Sequence, residues 1–380
     1  GDHRDLHRVD RRQRQMCIRD SYTGVHCRPA PEGSGWSAEV ITQLLYLSQT
    51  VVVRGGYTTA NGFAEPPDPL AYPTVLDAEG QGRVVFITGT VTVTLESLDI
   101  TGGNAAGLGS DEFGGDAGGG VYAATASLTI TGARIYSNTT GGARGFGGGF
   151  YVIHCGRFDL LNSAVYSNAA TGDYGFAGGG FAKCAGEVAV SGNTISGNRG
   201  EEGVEGAGAG GGGLVAGSQT RAIIHQNVIA GNEAAGPCGG LTVGGMGVTA
   251  TAVSGNVISG NHAGYSGGGL CLWWKSYDVL IRDNVILRNR ASVGFQRQGG
   301  GIFIDEGANV TLTNNVIAGN ELVSGGQGAG VYVGCGQCSL IHNTIASNGG
   351  GDGSGLYVDA LGGVVALTNT ILVDHDNHWC

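Results

Sequence analysis

The sequence predicts an all-β chain wound as a solenoid, a parallel β-helix built from one polypeptide. Three observations carry this reading. Glycine supplies 76 of 380 residues while proline supplies 7, a composition that disfavours helix interiors. No stretch keeps a helical period of apolar residues, yet short β-branched runs recur throughout. A phrase of the form Asn-(Val/Thr)-Ile-x-x-Asn returns at 193–198, 227–232, 256–261, 284–289, 315–320 and 343–348, and a fixed beat of this length is the signature of stacked repeats. Collagen is excluded because glycine follows no three-residue period, and disorder is excluded by 41% hydrophobic residues at 13% charge.

Taken in chain order, residues 1–21 are read as a non-native segment. They are rich in arginine and aspartate, and Met16-Cys17-Ile18-Arg19-Asp20-Ser21 resembles the translation of an adapter used in sequencing libraries. Residues 22–374 are read as one β-helix domain, opening with Val51 to Thr58 and Thr74 to Ala78 as its first coils. Looser copies of the phrase at 133–138 and 163–168 extend the series upstream, and a last copy at 369–374 ends in Asp374. A second phrase, three glycines followed by an aliphatic or aromatic residue, keeps the same beat at 118–121, 147–150, 178–181, 211–214, 267–270 and 299–302.

Each unit therefore reads as three short strands separated by turns, forming three sheets along a rod of about eleven coils, on the order of 50 Å long. Residues 375–380 are read as a truncated or non-native tail. Val190, Ile224, Val253, Ile281, Leu312 and Leu340 precede the phrase by three residues, and Ile195, Ile229, Ile258, Ile286, Ile317 and Ile345 lie two after its start. Stacked in register, these fill the bore with aliphatic ladders. Asn193, Asn227, Asn256, Asn284, Asn315, Asn343 and Asn369 are expected to form a polar ladder at the turn between the second and third strands. Asparagine tolerates left-handed angles there, and its amide can reach the adjoining coils.

On these two phrases the chain resembles the right-handed parallel β-helix proteins of the pectate-lyase-like superfamily, specifically the glycine-rich bacterial surface or secreted type with polymorphic outer-membrane repeats. The resemblance implies a right-handed winding and a ligand face on the outside of the first sheet, flanked by long loops. It selects no reaction, because the superfamily holds lyases, hydrolases, epimerases and adhesins. The segments 105–117, 139–146, 169–177, 199–210, 262–266 and 290–298 vary in length and are expected to build a wall beside that sheet.

If Val121, Phe150, Phe181, Leu214, Leu270, Ile302, Val331 and Leu356 point inward, alternation turns Tyr122, Tyr151, Ala182, Val215, Cys271, Phe303, Tyr332 and Tyr357 outward. Tyr122, Tyr151, Phe303, Tyr332 and Tyr357, with Trp273 nearby, are the candidate track for sugar rings. Asp305 and Asp359 sit on the same face two coils apart, roughly 10 Å, and are the candidate carboxylates of an inverting hydrolase. Against an enzyme, the paired aspartates and the Gly-His and Arg-x-Lys phrases of the polygalacturonase-like branch are missing, and Lys183, the one first-strand lysine, is expected to point inward.

No cofactor is expected. Calcium would be the ion suited to Asp111, Glu112 and Asp116 in the first long loop, although their spacing fits no calcium loop. Cys155 and Cys184 fall at the same turn of adjacent coils and are expected to be joined. Cys335 and Cys338 favour a local disulfide over a zinc site, which would lack its second pair, or free thiols. A formal charge of −11 with only two lysines, Lys183 and Lys275, argues against nucleic acid, and no apolar run approaches a membrane span. The expectation is a secreted or cell-surface protein, non-catalytic, whose partner is a polysaccharide or cell-surface glycan. The alternative is a polysaccharide lyase or glycoside hydrolase.

Overall fold

A computed structural model describes residues 26–29, 36–39, 42–63, 66–109, 114–201, 210–244, 251–272, 278–292, 298–305, 309–323, 325–334, 336–359 and 364–375. Glycine-rich turns cut the chain into strands of mostly three to five residues, and along the rod each strand pairs with its equivalent one repeat away. Among the described residues every such pairing along the rod is parallel, as in Ile229 opposite Ile258 and Ile258 opposite Ile286. The exception is the antiparallel pair His26–Pro29 with Trp36–Glu39. The third strands form one parallel sheet of eleven. The complete turn pattern recurs in the coils that close at Asn138, Asn168, Asn198, Asn232, Asn261, Asn289, Asn320 and Asn348, so eight coils rather than eleven are fully regular.

The bore is the single largest core. Val190, Ile224, Val253, Ile281, Leu312 and Leu340 are buried in it, with Ile195, Ile229, Ile258, Ile286, Ile317 and Ile345. Each buried aliphatic side chain of this size contributes roughly 1.5–3 kcal/mol relative to exposure. The first and second strands run together without a break in Phe150–Leu161 and Gly180–Ser191. Cys155 and Cys184 face each other where these long strands bend, and they are joined with Cα atoms 4.6 Å apart.

One register differs from the alternation expected. Gly180 pairs with Phe150, which puts Phe181 opposite Tyr151 and Ala182 opposite Val152. Phe181 therefore points outward and Ala182 inward, and Lys183 is outward too, since Cys184 lies in the bore cluster. The reason is volume. A Cβ at Gly180 would stand 2.1 Å from the Phe150 ring, so that ring fills the space that a side chain at 180 would need.

Two polar ladders flank the third sheet. In the first, the Asn193 amide hydrogens reach Leu160 O at 2.8 Å and Asn227 Oδ1 at 2.9 Å, while its backbone N–H donates to the same Oδ1 at 3.0 Å. The pattern repeats through Asn227, Asn256, Asn284 and Asn315 to Asn343. The closing asparagines form a second, equally complete ladder from Asn138 to Asn348. Both are buried, and every side-chain donor and acceptor is used, which such burial demands.

Two details correct the expectation for these asparagines. The left-handed residue is the one before each rung, such as Gln226 (φ 53°), Asp283 (φ 56°) and His342 (φ 55°). Asn369 is itself that corner residue (φ 46°) and is exposed. Ile345 pairs with Leu372, so the last copy is shifted by one, and Thr370 takes the rung, its hydroxyl donating to Leu340 O at 3.0 Å.

Candidate functional site

On the outside of the first sheet, register places Phe86, Tyr122, Tyr151, Phe181, Val215, Thr242, Cys271, Phe303, Tyr332 and Tyr357 in one row. The small residues Val215, Thr242 and Cys271 divide it into two stacked columns. Tyr122 stacks between Phe86 (4.9 Å) and Tyr151 (5.7 Å), and Tyr151 meets Phe181 at 5.2 Å. Phe303 and Tyr332 stack at 5.4 Å, Tyr332 and Tyr357 at 5.7 Å.

Tyr122, Tyr151, Phe303 and Tyr332 are outward in phase but not exposed, contrary to the expected sugar track; all four are buried. For the first column the cause is a roof. Segments expected to stand as loops beside the sheet instead pair as Asp116–Ala117, Arg144–Phe146 and Tyr174–Phe176, and Phe146 and Phe176 pack on Tyr151 and Phe181 at 6.3 and 6.1 Å. Arg83, also buried, lies 4.7 Å over the Tyr122 ring, and its Nε donates to Ala117 O at 2.8 Å, which ties the roof down. Over the second column, a disulfide between Cys238 and Cys271 lies in one cluster with Phe303 and Tyr332.

The row opens at its far end. Tyr357 is half-buried, and its hydroxyl accepts a hydrogen bond from Gln327 Nε2 at 2.9 Å, while Gln298 Nε2 donates to Gln327 Oε1 at 3.3 Å. The Tyr332 hydroxyl donates to Asp359 Oδ2. Asp305 and Asp359, both half-buried, flank Gly334 in a single row, as the parallel bonds Gly334 N to Ile304 O (2.8 Å) and Asp359 N to Val333 O (2.9 Å) require. Their separation is thus two strand spacings, about 9–10 Å. The patch combines one ring face, two carboxylates and two amides on a rigid sheet.

Other predicted residues separate from this patch. Asp116 is buried and its two oxygens accept the backbone N–H groups of Gly107 (2.8 Å) and Gly109 (2.9 Å), so it pins its own loop. Among the described residues no three metal-capable side chains gather. Cys338 is disulfide-bonded. Asp111, Glu112, Trp273 and Cys335 lie outside the described residues. Sequence reasoning missed the closing ladder, the roof and the Cys238–Cys271 pair. The recurrent closing asparagine was the signal for the first, and Phe146 and Phe176, one repeat apart in two of the variable segments, for the second.

No helix among the described residues is long and apolar enough to cross a membrane. The right-handed β-helix region family matches residues 181–372, half of the chain. Solved structures of the periplasmic alginate epimerase AlgG are among those to which the chain is similar. A single-site mutant is 14% identical with a TM-score of 0.47, covering 88% of this chain and 72% of that one. A double mutant is 15% identical with a TM-score of 0.44, covering 87% and 69%. No curated protein matches the chain.

Proposed function

The chain belongs to the right-handed β-helix family, and from that premise we propose that it is an exported repeat protein that binds a neutral glycan at the open end of the first-sheet row, without turning it over. The observation that carries this is Tyr357, a half-exposed ring held by Gln327, with Asp359 on the same strand face and Asp305 two coils away in the Asp359 row. Sugars need an apolar face for their C–H side and planar acceptors and donors for their hydroxyls, and a ring already fixed by its neighbours loses little freedom on binding. The carboxylates and the net charge of −11 disfavour acidic chains. Export is supported by the Cys155–Cys184 and Cys238–Cys271 disulfides, since such bonds persist in oxidising compartments.

Affinity electrophoresis through gels cast with neutral and acidic polysaccharides tests the reading. Retardation by a neutral polysaccharide is expected, with no unsaturated or reducing ends released, and Tyr357→Ala should lose it while melting almost as the parent does. Retardation by none of the polysaccharides, or none lost in the variant, refutes the proposal. A hydrolase is the second reading, favoured by the spacing of Asp305 and Asp359 at the upper end of about 6.5–9.5 Å for inverting enzymes. It requires reducing ends to appear and to vanish in both Asp305→Asn and Asp359→Asn.

A further inference from the structure

The outside of the second sheet changes character along the rod. Toward the N-terminal side its outward groups are tied to one another. The Thr129 hydroxyl donates to Asp159 at 3.4 Å, Arg157 Nε donates to Asp159 at 2.7 Å, and Arg157 pairs with Glu187 at 3.4 Å. Three coils toward the other end differ. The strands Val279–Arg282, Asn309–Thr313 and Gln337–Ile341 stack in register, so Asp278, Asn309 and Gln337 form one outward row and Leu280, Thr311 and Ser339 the next. Together they line a groove of about 360 Å³, with buried Val279 and Val310 beneath. None of its five polar side chains is engaged by another protein group among the described residues.

We infer that this groove is a binding subsite for a neutral saccharide. One carboxylate, two amides and two hydroxyls present both donors and acceptors, repeated at the strand spacing of about 4.8 Å. Hydroxyl-rich ligands need that mixture, and Leu280 supplies an apolar contact for a sugar's C–H face. The lining holds no lysine, arginine or histidine, and Asp278 repels anions. A single carboxylate is too few for a divalent cation, and one half-exposed leucine is too little for an apolar ligand. The strands beneath are paired on both sides and anchored in the bore, so the groups are presented without reorganisation. This subsite lies on another face from Tyr357 and does not depend on the first-sheet reading.

The test is a titration of the full chain, labelled with nitrogen-15, by cellohexaose and mannohexaose as neutral probes and hexagalacturonate as the anionic one. At least one neutral probe should shift the backbone amides of residues 278–280, 309–311 and 337–339, and hexagalacturonate should not. Asn309→Ala combined with Gln337→Ala should weaken binding by about tenfold or more, and Thr311→Arg, which fills the groove from a half-exposed position, should abolish it. Tyr357→Ala should leave these shifts in place. The inference fails if neither neutral probe shifts these amides at millimolar concentration, if hexagalacturonate shifts them equally, or if both groove variants bind as the parent does. Shifts confined to Gln327, Tyr357 and Asp359 and lost in Tyr357→Ala would refute this subsite while upholding the first-sheet site; shifts confined to the groove would do the reverse.

Discussion

The two aromatic columns on the first sheet share a strand position, an outward phase and a stacking distance, yet they end differently. Tyr122, Tyr151 and Phe181 lie under a three-stranded roof. Phe303, Tyr332 and Tyr357 pass from buried to half-exposed along the rod, and their last ring reaches solvent. Alternation is the same in both, but Tyr357 lies on Leu356–Val358, which pairs on one side only among the described residues. The segments after each closing asparagine decide what lies over the other rings. At 139–146 and 169–177 they carry Phe146 and Phe176 onto the sheet, whereas at the matching place of the later coils Gln298 and Gln327, bridged to each other, bring amides instead of rings. In a solenoid, phase decides which side of the wall a residue is on, and the neighbouring segment decides whether that side is wet.

The largest expected effect tests this division directly. Tyr151→Ala removes a fully buried ring and should cost about 3–5 kcal/mol, while Tyr357→Ala, half-exposed, should cost about 1 kcal/mol or less. Urea unfolding of both variants measures the difference. Equal losses would mean that the open end is as closed as the roofed one. Next comes the Cys238–Cys271 bond, which pins a turn onto the second column as the roof strands pin the first. Cys238→Ser with Cys271→Ser should lower stability by about 2–4 kcal/mol and also weaken the near-ultraviolet circular dichroism of the tyrosines. A loss of stability with unchanged tyrosine signals would detach that disulfide from the column.

How much of this the sequence showed follows from the range of the interactions involved. The bore was legible because Ile195, Ile258 and Ile317 recur at one place in a phrase, and a period survives in a single chain. The disulfide at Cys155 and Cys184 was legible for the same reason. The roof was not, although Phe146 and Phe176 fall one repeat apart, since Phe146 and Tyr151 meet only after the segment turns back, which spacing alone does not reveal. The shift at Phe181 arises from Phe150 in the coil before it, and Asn369 was misplaced because its phrase matches the earlier copies while its pairing starts one residue later. Pattern reading finds the rung and cannot see which neighbour it stacks on.

The closing ladder spans both halves and so separates coil stability from roofing. Asn168→Ala and Asn320→Ala should each cost about 1–3 kcal/mol, because each strands buried amide groups of the neighbouring coils. Asn369→Ala, exposed and outside the ladder, should cost only a few tenths of that. A much larger loss at Asn168 than at Asn320 would show that the roof makes its coils more cooperative than the open ones.

The smallest effect is one of pH, on the edge sheet that runs from Ala169–Ala170 to Glu321–Leu322. His262 stands between Glu233 and Arg290 in that row, with its Nδ1 3.8 Å from Glu233 and its Nε2 2.6 Å from Ser292. Burial lowers its pKa below 6.5, and nearby Arg290 also lowers it, while Glu233 acts in the opposite sense. A depressed folded-state pKa means that the unfolded chain binds the proton first. The stabilising contribution is therefore present above the unfolded value and is lost as pH falls through the folded one. Melting of the parent should decline slightly more steeply than that of His262→Gln as pH drops from about 7.5 to about 5. An equal decline would show that the Glu233 attraction cancels burial, and a steeper one in the variant that it outweighs burial. The edge row would then gain from protonation.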